Sequence, residues 1–213
     1  MIANKRIAIQ EQHENNTTNQ TFKMTSESIP SDILSAFLAK EAGRGESQID
    51  RYRRLGAHPS VLELIMLGGG QAMGTKCERL LRDTWWSLKK RVPGQTGYDH
   101  QSTCCISDRV QPLEQKTSGL WSDDPRSFRW QHLEPDHIWT GLLLVGITLT
   151  GLEVWGMTRA AFQTCIDTGL ATPQGNKSGE SYEGYWMTCA DVYSHLIPIK
   201  SESDLQAFVS LLG

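Results

Sequence analysis

The chain carries Gly97-Tyr98-Asp99 and, after thirteen intervening residues, Leu113-Glu114-Gln115-Lys116. Residues i and i+2 of an extended strand face one side. Glu114 and Lys116 therefore project together, and Gln115 projects away. A neighbouring strand bearing Asp99 would add a second carboxylate to that face. Two carboxylates suit Mg²⁺, a hard cation that takes oxygen ligands and keeps several waters, and Mn²⁺ is an expected substitute. The backbone carbonyl of Gln115 is a further candidate ligand. Such an ion neutralises an anionic phosphodiester and acidifies bound water. Lys116 is placed to orient the attacking water and to stabilise charge on the phosphate. With a depressed pKa it would also take the proton. A Glu-x-Lys strand alone is more often an exposed ion pair, so the surrounding elements decide its weight.

Those elements follow from periodicity and breakers. Residues 1–28 include Asn15-Asn16-Thr17-Thr18-Asn19-Gln20 and have no apolar period. They read as a disordered or extended arm, and 29–213 as one domain. Ser31 fits an N-cap for a helix bearing Ile33, Leu34, Phe37 and Leu38. Ser47–Leu55 and His58–Leu67 read as further helices. Gly68-Gly69-Gly70 breaks the chain before a basic amphipathic helix over Gln71–Lys90. GxxxxGK[ST] is absent, so this is no phosphate loop. Strands are expected at 98–101 or 98–105, 110–118, 142–149, 152–157 and 185–193. Helices are expected at 159–168 and 203–211, the last capped by Ser201 or Ser203. Residues 130–139, interrupted by Pro135, stay ambiguous. This order predicts an α/β (α+β) fold with a mixed central sheet flanked by helices.

A basic helix, then Gly-Tyr-Asp, then a strand ending Glu-Gln-Lys-Thr-Ser resembles the PD-(D/E)XK nuclease superfamily, with its restriction-endonuclease-like fold. The resemblance covers about residues 74–118. Asp99, Glu114 and Lys116 match its acidic residue and (D/E)-x-K pattern, and Glu78 is the candidate for the extra acid on the preceding helix. Tyr98 stands where the motif has proline. The resemblance implies a Mg²⁺-dependent endonuclease that hydrolyses double-stranded DNA and leaves 5′-phosphate ends. It would be a restriction- or homing-type enzyme acting as a homodimer, one active site per strand. A structure-specific repair nuclease or junction resolvase remains open, as does a non-catalytic DNA-binding module of the same fold.

Net charge is −3, which does not announce a nucleic-acid binder, but its distribution is uneven. Lys76, Arg79, Lys89, Lys90 and Arg91 form a basic stretch suited to phosphates. Ser118, Arg129, Gln131 and His132 are expected near the groove. Gln174, Asn176 and Lys177, in a Gly/Ser-rich loop, are the candidates for base readout. Five cysteines in no CxxC pattern argue against a disulfide framework and for a reducing, intracellular location. The most apolar run, Ile138–Leu149, is too short to span a bilayer, so a membrane partner is not expected.

Overall fold

The computed structural model describes residues 46–66, 69–175 and 182–213. The expected arm, the helix expected after Ser31, and Asn176 and Lys177 lie outside the described residues. Residues 45–213 belong to one unit. Among the described residues, no helix is long and apolar enough to cross a membrane.

Helix α1 (Gln48–Arg54) starts at Ser47, whose hydroxyl accepts the Asp50 N–H. α2 (Pro59–Met66) opens on a proline, whose missing N–H is no loss in a first turn. α3 (Gly70–Thr84) ends at Trp85, short of the expected Lys90. Trp85 and Leu88 turn into the core, and Lys89–Lys90 pairs with Gln101 and His100 as a short edge strand, β1. Burial of those two side chains and ladder hydrogen bonds outweigh helix propensity there.

β2 (His100–Thr103) begins two residues later than expected, whereas β3 (Val110–Ser118) has its expected bounds despite Pro112. β4 (Arg129–Leu133), β5 (Gly141–Ile147) and β6 (Leu152–Thr158) follow. The Thr158 hydroxyl caps α4 (Arg159–Asp167). β7 (Thr172–Gly175) and β8 (Tyr182–Thr188) come next. β8 stops at Thr188 rather than reaching Tyr193, because the Thr188 hydroxyl accepts the Asp191 N–H and starts the short helix α5 (Cys189–Val192). A single 3₁₀ turn, β9 (Ile197–Pro198) and α6 (Glu202–Leu211), capped by Ser201, complete the unit.

The main sheet has the order β1-β2-β3-β5-β6-β9. β3 and β5 run parallel, and the other pairings are antiparallel. It is a mixed sheet with helices, as the residue order implies. A second, three-stranded sheet, β4-β8-β7, was not legible beforehand.

Every residue of β5 is buried, the mark of a strand covered on both faces. Leu142 and Leu144 enter one core with Trp130, Trp139 and Phe162. Leu143 and Val145 enter the other with Leu81, Trp85 and Phe208. Each such side chain contributes about 1.5–3 kcal/mol on burial. Trp130 joins the two sheets: its Nε1–H donates to the Val145 carbonyl at 3.0 Å, and its ring meets Phe128 and Trp155.

Gly146 allows this contact, since a Cβ there would lie 2.5 Å from the Phe128 ring. Gly146→Ala is expected to destabilise the protein by about 1–3 kcal/mol through overpacking. Gly151→Ala, which meets open space, should change stability by no more than about 0.5 kcal/mol. Urea denaturation of both variants checks the contrast.

Candidate active site

The β2–β3 register pairs His100 with Leu113. The ladder ends there, and Asp99, just beyond it, lines the same groove as Glu114, close enough for the two charges to interact. Asp99 is held there by its own backbone: its N–H donates to the Leu113 carbonyl at 3.0 Å. Its Oδ2 accepts the Gln115 N–H at 2.9 Å. Glu114 is only 7% exposed, and its carboxylate lies 2.7 Å from the Lys116 ammonium. Gly97, two residues before Asp99, has φ +82°, and a Cβ there would press on His137 at 3.3 Å. Glycine meets both constraints.

These groups line a groove of about 620 Å³ between α3 and the strands. Gln71, Thr75 and Glu78, spaced as one helical face, come from α3; Glu114 to Thr117 come from β3; Arg129, Gln131 and His132 come from β4. The topology thus brings together Asp99, Glu114, Lys116 and Glu78. Burial raises the pKa of Glu114; Lys116 opposes this, and the charge of Asp99 adds to it. Burial also raises Glu78, again with a contribution from Asp99, against the pull of Arg82 at 3.6 Å and of Arg91.

Among the described residues, no three His, Cys, Asp or Glu side chains converge as a ready-made ion cage. Mg²⁺ does not require one, because it is usually held by one or two carboxylates plus waters. Two neighbouring carboxylates that repel each other in a half-buried groove fit a dication in donor type and charge. The Gln115 N–H points to the β2 side, beyond the last ladder bond. In a strand the carbonyl of the same residue points the same way, toward Asp99.

The Gln115 side chain is engaged on the other face, as i, i+2 alternation requires. Buried His100 has its Nδ1 3.2 Å from an Arg82 nitrogen and its Nε2 2.9 Å from Gln115 Oε1. A guanidinium only donates, so Nδ1 accepts and the proton sits on Nε2, which donates to Gln115. The Gln115 amide then donates to Thr117 Oγ1 at 3.1 Å. Burial holds the His100 pKa down, to about 4, which keeps the ring neutral. This chain fixes the residue between Glu114 and Lys116. His100 follows Asp99 directly in the chain. Its position next to Asp99, facing the opposite side, was the signal for a supporting role.

Other expected contacts are redistributed. Ser118 is buried; its hydroxyl accepts the Arg129 N–H and donates to the Gly119 carbonyl, so it ties β3 to β4 instead of meeting a phosphate. Gln174 lies in β7, and its Oε1 accepts the His132 N–H at 3.2 Å, so it supports the groove wall instead of reading bases. His132 has φ +55° at the irregularity between Trp130 and Leu133. Such strain in a non-glycine residue is characteristic of functional sites. Arg91 donates to the Asp99 and Tyr98 carbonyls through its backbone and side chain, respectively. Lys76 and Arg79 line a shallow recess that shares Gln71 and Thr75 with the groove. Lys89 and Lys90 are exposed on the edge strand. Arg129 is stacked between Trp121 and Trp186, neither of which the sequence connects to it.

Neither a family model nor a curated protein matches this chain.

The raised pKa of Glu114 has a consequence for stability. A carboxyl raised on folding binds more protons folded than unfolded, so stability falls as pH rises through that window. Glu114→Gln removes the penalty. Without divalent ions it should raise the melting temperature by a few degrees at pH 8, and the gain should vanish below about pH 4.3. Calorimetry across pH in EDTA checks the sign.

Proposed function

We propose that this chain is a Mg²⁺-dependent endonuclease that hydrolyses phosphodiester bonds of double-stranded DNA, a member of the PD-(D/E)XK type. The supporting observation is that Asp99 and Glu114, with Lys116 paired to Glu114, line one groove that also receives Glu78. A binding module would gain nothing from gathering carboxylates where a phosphate must come.

Asp99 and Glu114, with the Gln115 carbonyl, would hold the ion. When bound, Mg²⁺ supplies charge neutralisation at the phosphate and a water of lowered pKa. Lys116 orients the attacking water by hydrogen bonding and stabilises negative charge developing on the phosphate oxygens. His100 and Arg82 hold Gln115, and with it the spacing between Glu114 and Lys116, in one geometry. Gln131 and His132, on the opposite wall, are placed to position the strand. Lys76, Arg79, Lys89 and Lys90 supply cations for flanking phosphates. A homodimer with one active site per strand belongs to the same proposal, as does a restriction- or homing-type role.

The test is incubation of supercoiled plasmid with the purified protein in Mg²⁺, in Mn²⁺ and in EDTA. Discrete linear fragments ending in 5′-phosphates are expected with either metal and none with EDTA. Asp99→Ala and Lys116→Ala should each cut about a thousandfold more slowly, or less, the scale for loss of a group that stabilises transition-state charge. Cleavage at the parent rate by Asp99→Ala would overturn the assignment. Cleavage confined to branched DNA would move it to a structure-specific nuclease.

A further inference from the structure

Arg129 opens β4 with its guanidinium between two indoles, 4.5 Å from the Trp121 ring centre and 4.6 Å from that of Trp186. Two indole rings pack against the planar cation and restrict the directions in which its N–H groups can hydrogen-bond. Among the described residues no carboxylate lies within ion-pair distance of it, although the chain holds 24 acidic residues. Among the described residues its Nε–H is shut off from solvent and has no hydrogen-bond partner. By contrast, Arg54 is satisfied by Glu46 and Asp123, and Arg159 by carbonyls of residues 135, 137 and 139. A cation packed on two tryptophans, with a buried unpartnered N–H and no described acid at ion-pair distance, is costly unless a ligand completes it.

Its location indicates the ligand. Arg129 lines the groove of Asp99 and Glu114, and also a second cavity of about 680 Å³ walled by Trp121, Ser127, Thr188 and Tyr193. Trp121 is 49% exposed at that opening. A guanidinium edge offers parallel N–H donors matched to two oxygens of one anion. An anion that continues from the acid groove into the neighbouring cavity is a polymer of phosphodiesters.

We propose that Arg129, clamped by Trp121 and Trp186, seats a second phosphodiester of the strand whose scissile phosphate lies at Asp99 and Glu114. This rests on the nuclease reading and sharpens its substrate class. The substrate is a strand with at least two consecutive phosphodiesters, leaving the groove across the start of β4 and over Trp121.

The test uses the full chain in an Asp99→Ala background, which prevents cutting, and a duplex carrying the cleavage position mapped on plasmid. Affinity is measured across about 50–200 mM salt. Arg129→Ala should flatten the slope of log Kd against log salt by about one, the loss of one phosphate contact. Arg129→Lys, which keeps the charge and serves as the conservative variant, should keep the slope yet bind several-fold more weakly, because the stacked fork is lost. A neutral methylphosphonate beside the cut should weaken the parent and leave Arg129→Ala unaffected. If Arg129→Ala keeps the parent slope, and methylphosphonates at every position weaken both proteins alike, the seat is overturned while the nuclease reading stands. If the parent neither cuts plasmid nor binds the duplex, both fall.

Discussion

Two like charges, Asp99 and Glu114, held beside each other at the end of the β2–β3 ladder are the constraint around which this groove is arranged. Asp99 and Glu114 would separate if their backbones were free to move. They do not, because Asp99 is bonded on one side to the Leu113 carbonyl and on the other to the Gln115 N–H. β3 is itself pinned along β5, a strand buried on both faces. Lys116 offsets part of the repulsion, and burial adds to it. Folding therefore tolerates a local electrostatic penalty at this groove and offsets it with the apolar burial behind it, as sites built for ligands commonly do.

That arrangement needs support from the opposite face. The contacts from Arg82 through His100 and Gln115 to Thr117 join α3 to the middle of β3. Each donor meets an acceptor, so the low dielectric of the interior strengthens the chain instead of penalising it. The same helix that offers Glu78 to the groove thus fixes, through Arg82 one turn on, the residue between Glu114 and Lys116. One helix serves both the groove and its scaffold.

The small sheet β4-β8-β7 supplies the far wall. Trp130 anchors it to β5 through the Val145 carbonyl, and the irregular pairing at Gln131–His132 turns those residues toward the groove. Gln174 and Ser118, both expected at DNA, hold this wall in place instead. Trp186 of β8 and Trp121 of the loop between β3 and β4 both pack on the Arg129 guanidinium.

Local patterns were enough for much of this. Apolar runs and breakers mark β3, β5, β6 and α4 nearly to the residue, because a buried strand or a capped helix leaves its period in the chain. The i, i+2 rule places Glu114 with Lys116 and turns Gln115 away, since strand pleating is a property of the backbone alone. Tertiary structure decided what depends on partners distant in sequence. The end of α3 at Trp85 follows from burial of Trp85 and Leu88 and from pairing of β1 with β2. The second sheet joins strands more than forty residues apart. The neutrality of His100 and the clamp on Arg129 come from groups gathered from separate segments. Propensity and spacing act over a few residues, whereas burial, electrostatic coupling and stacking act through space, and only the folded chain brings those neighbours together.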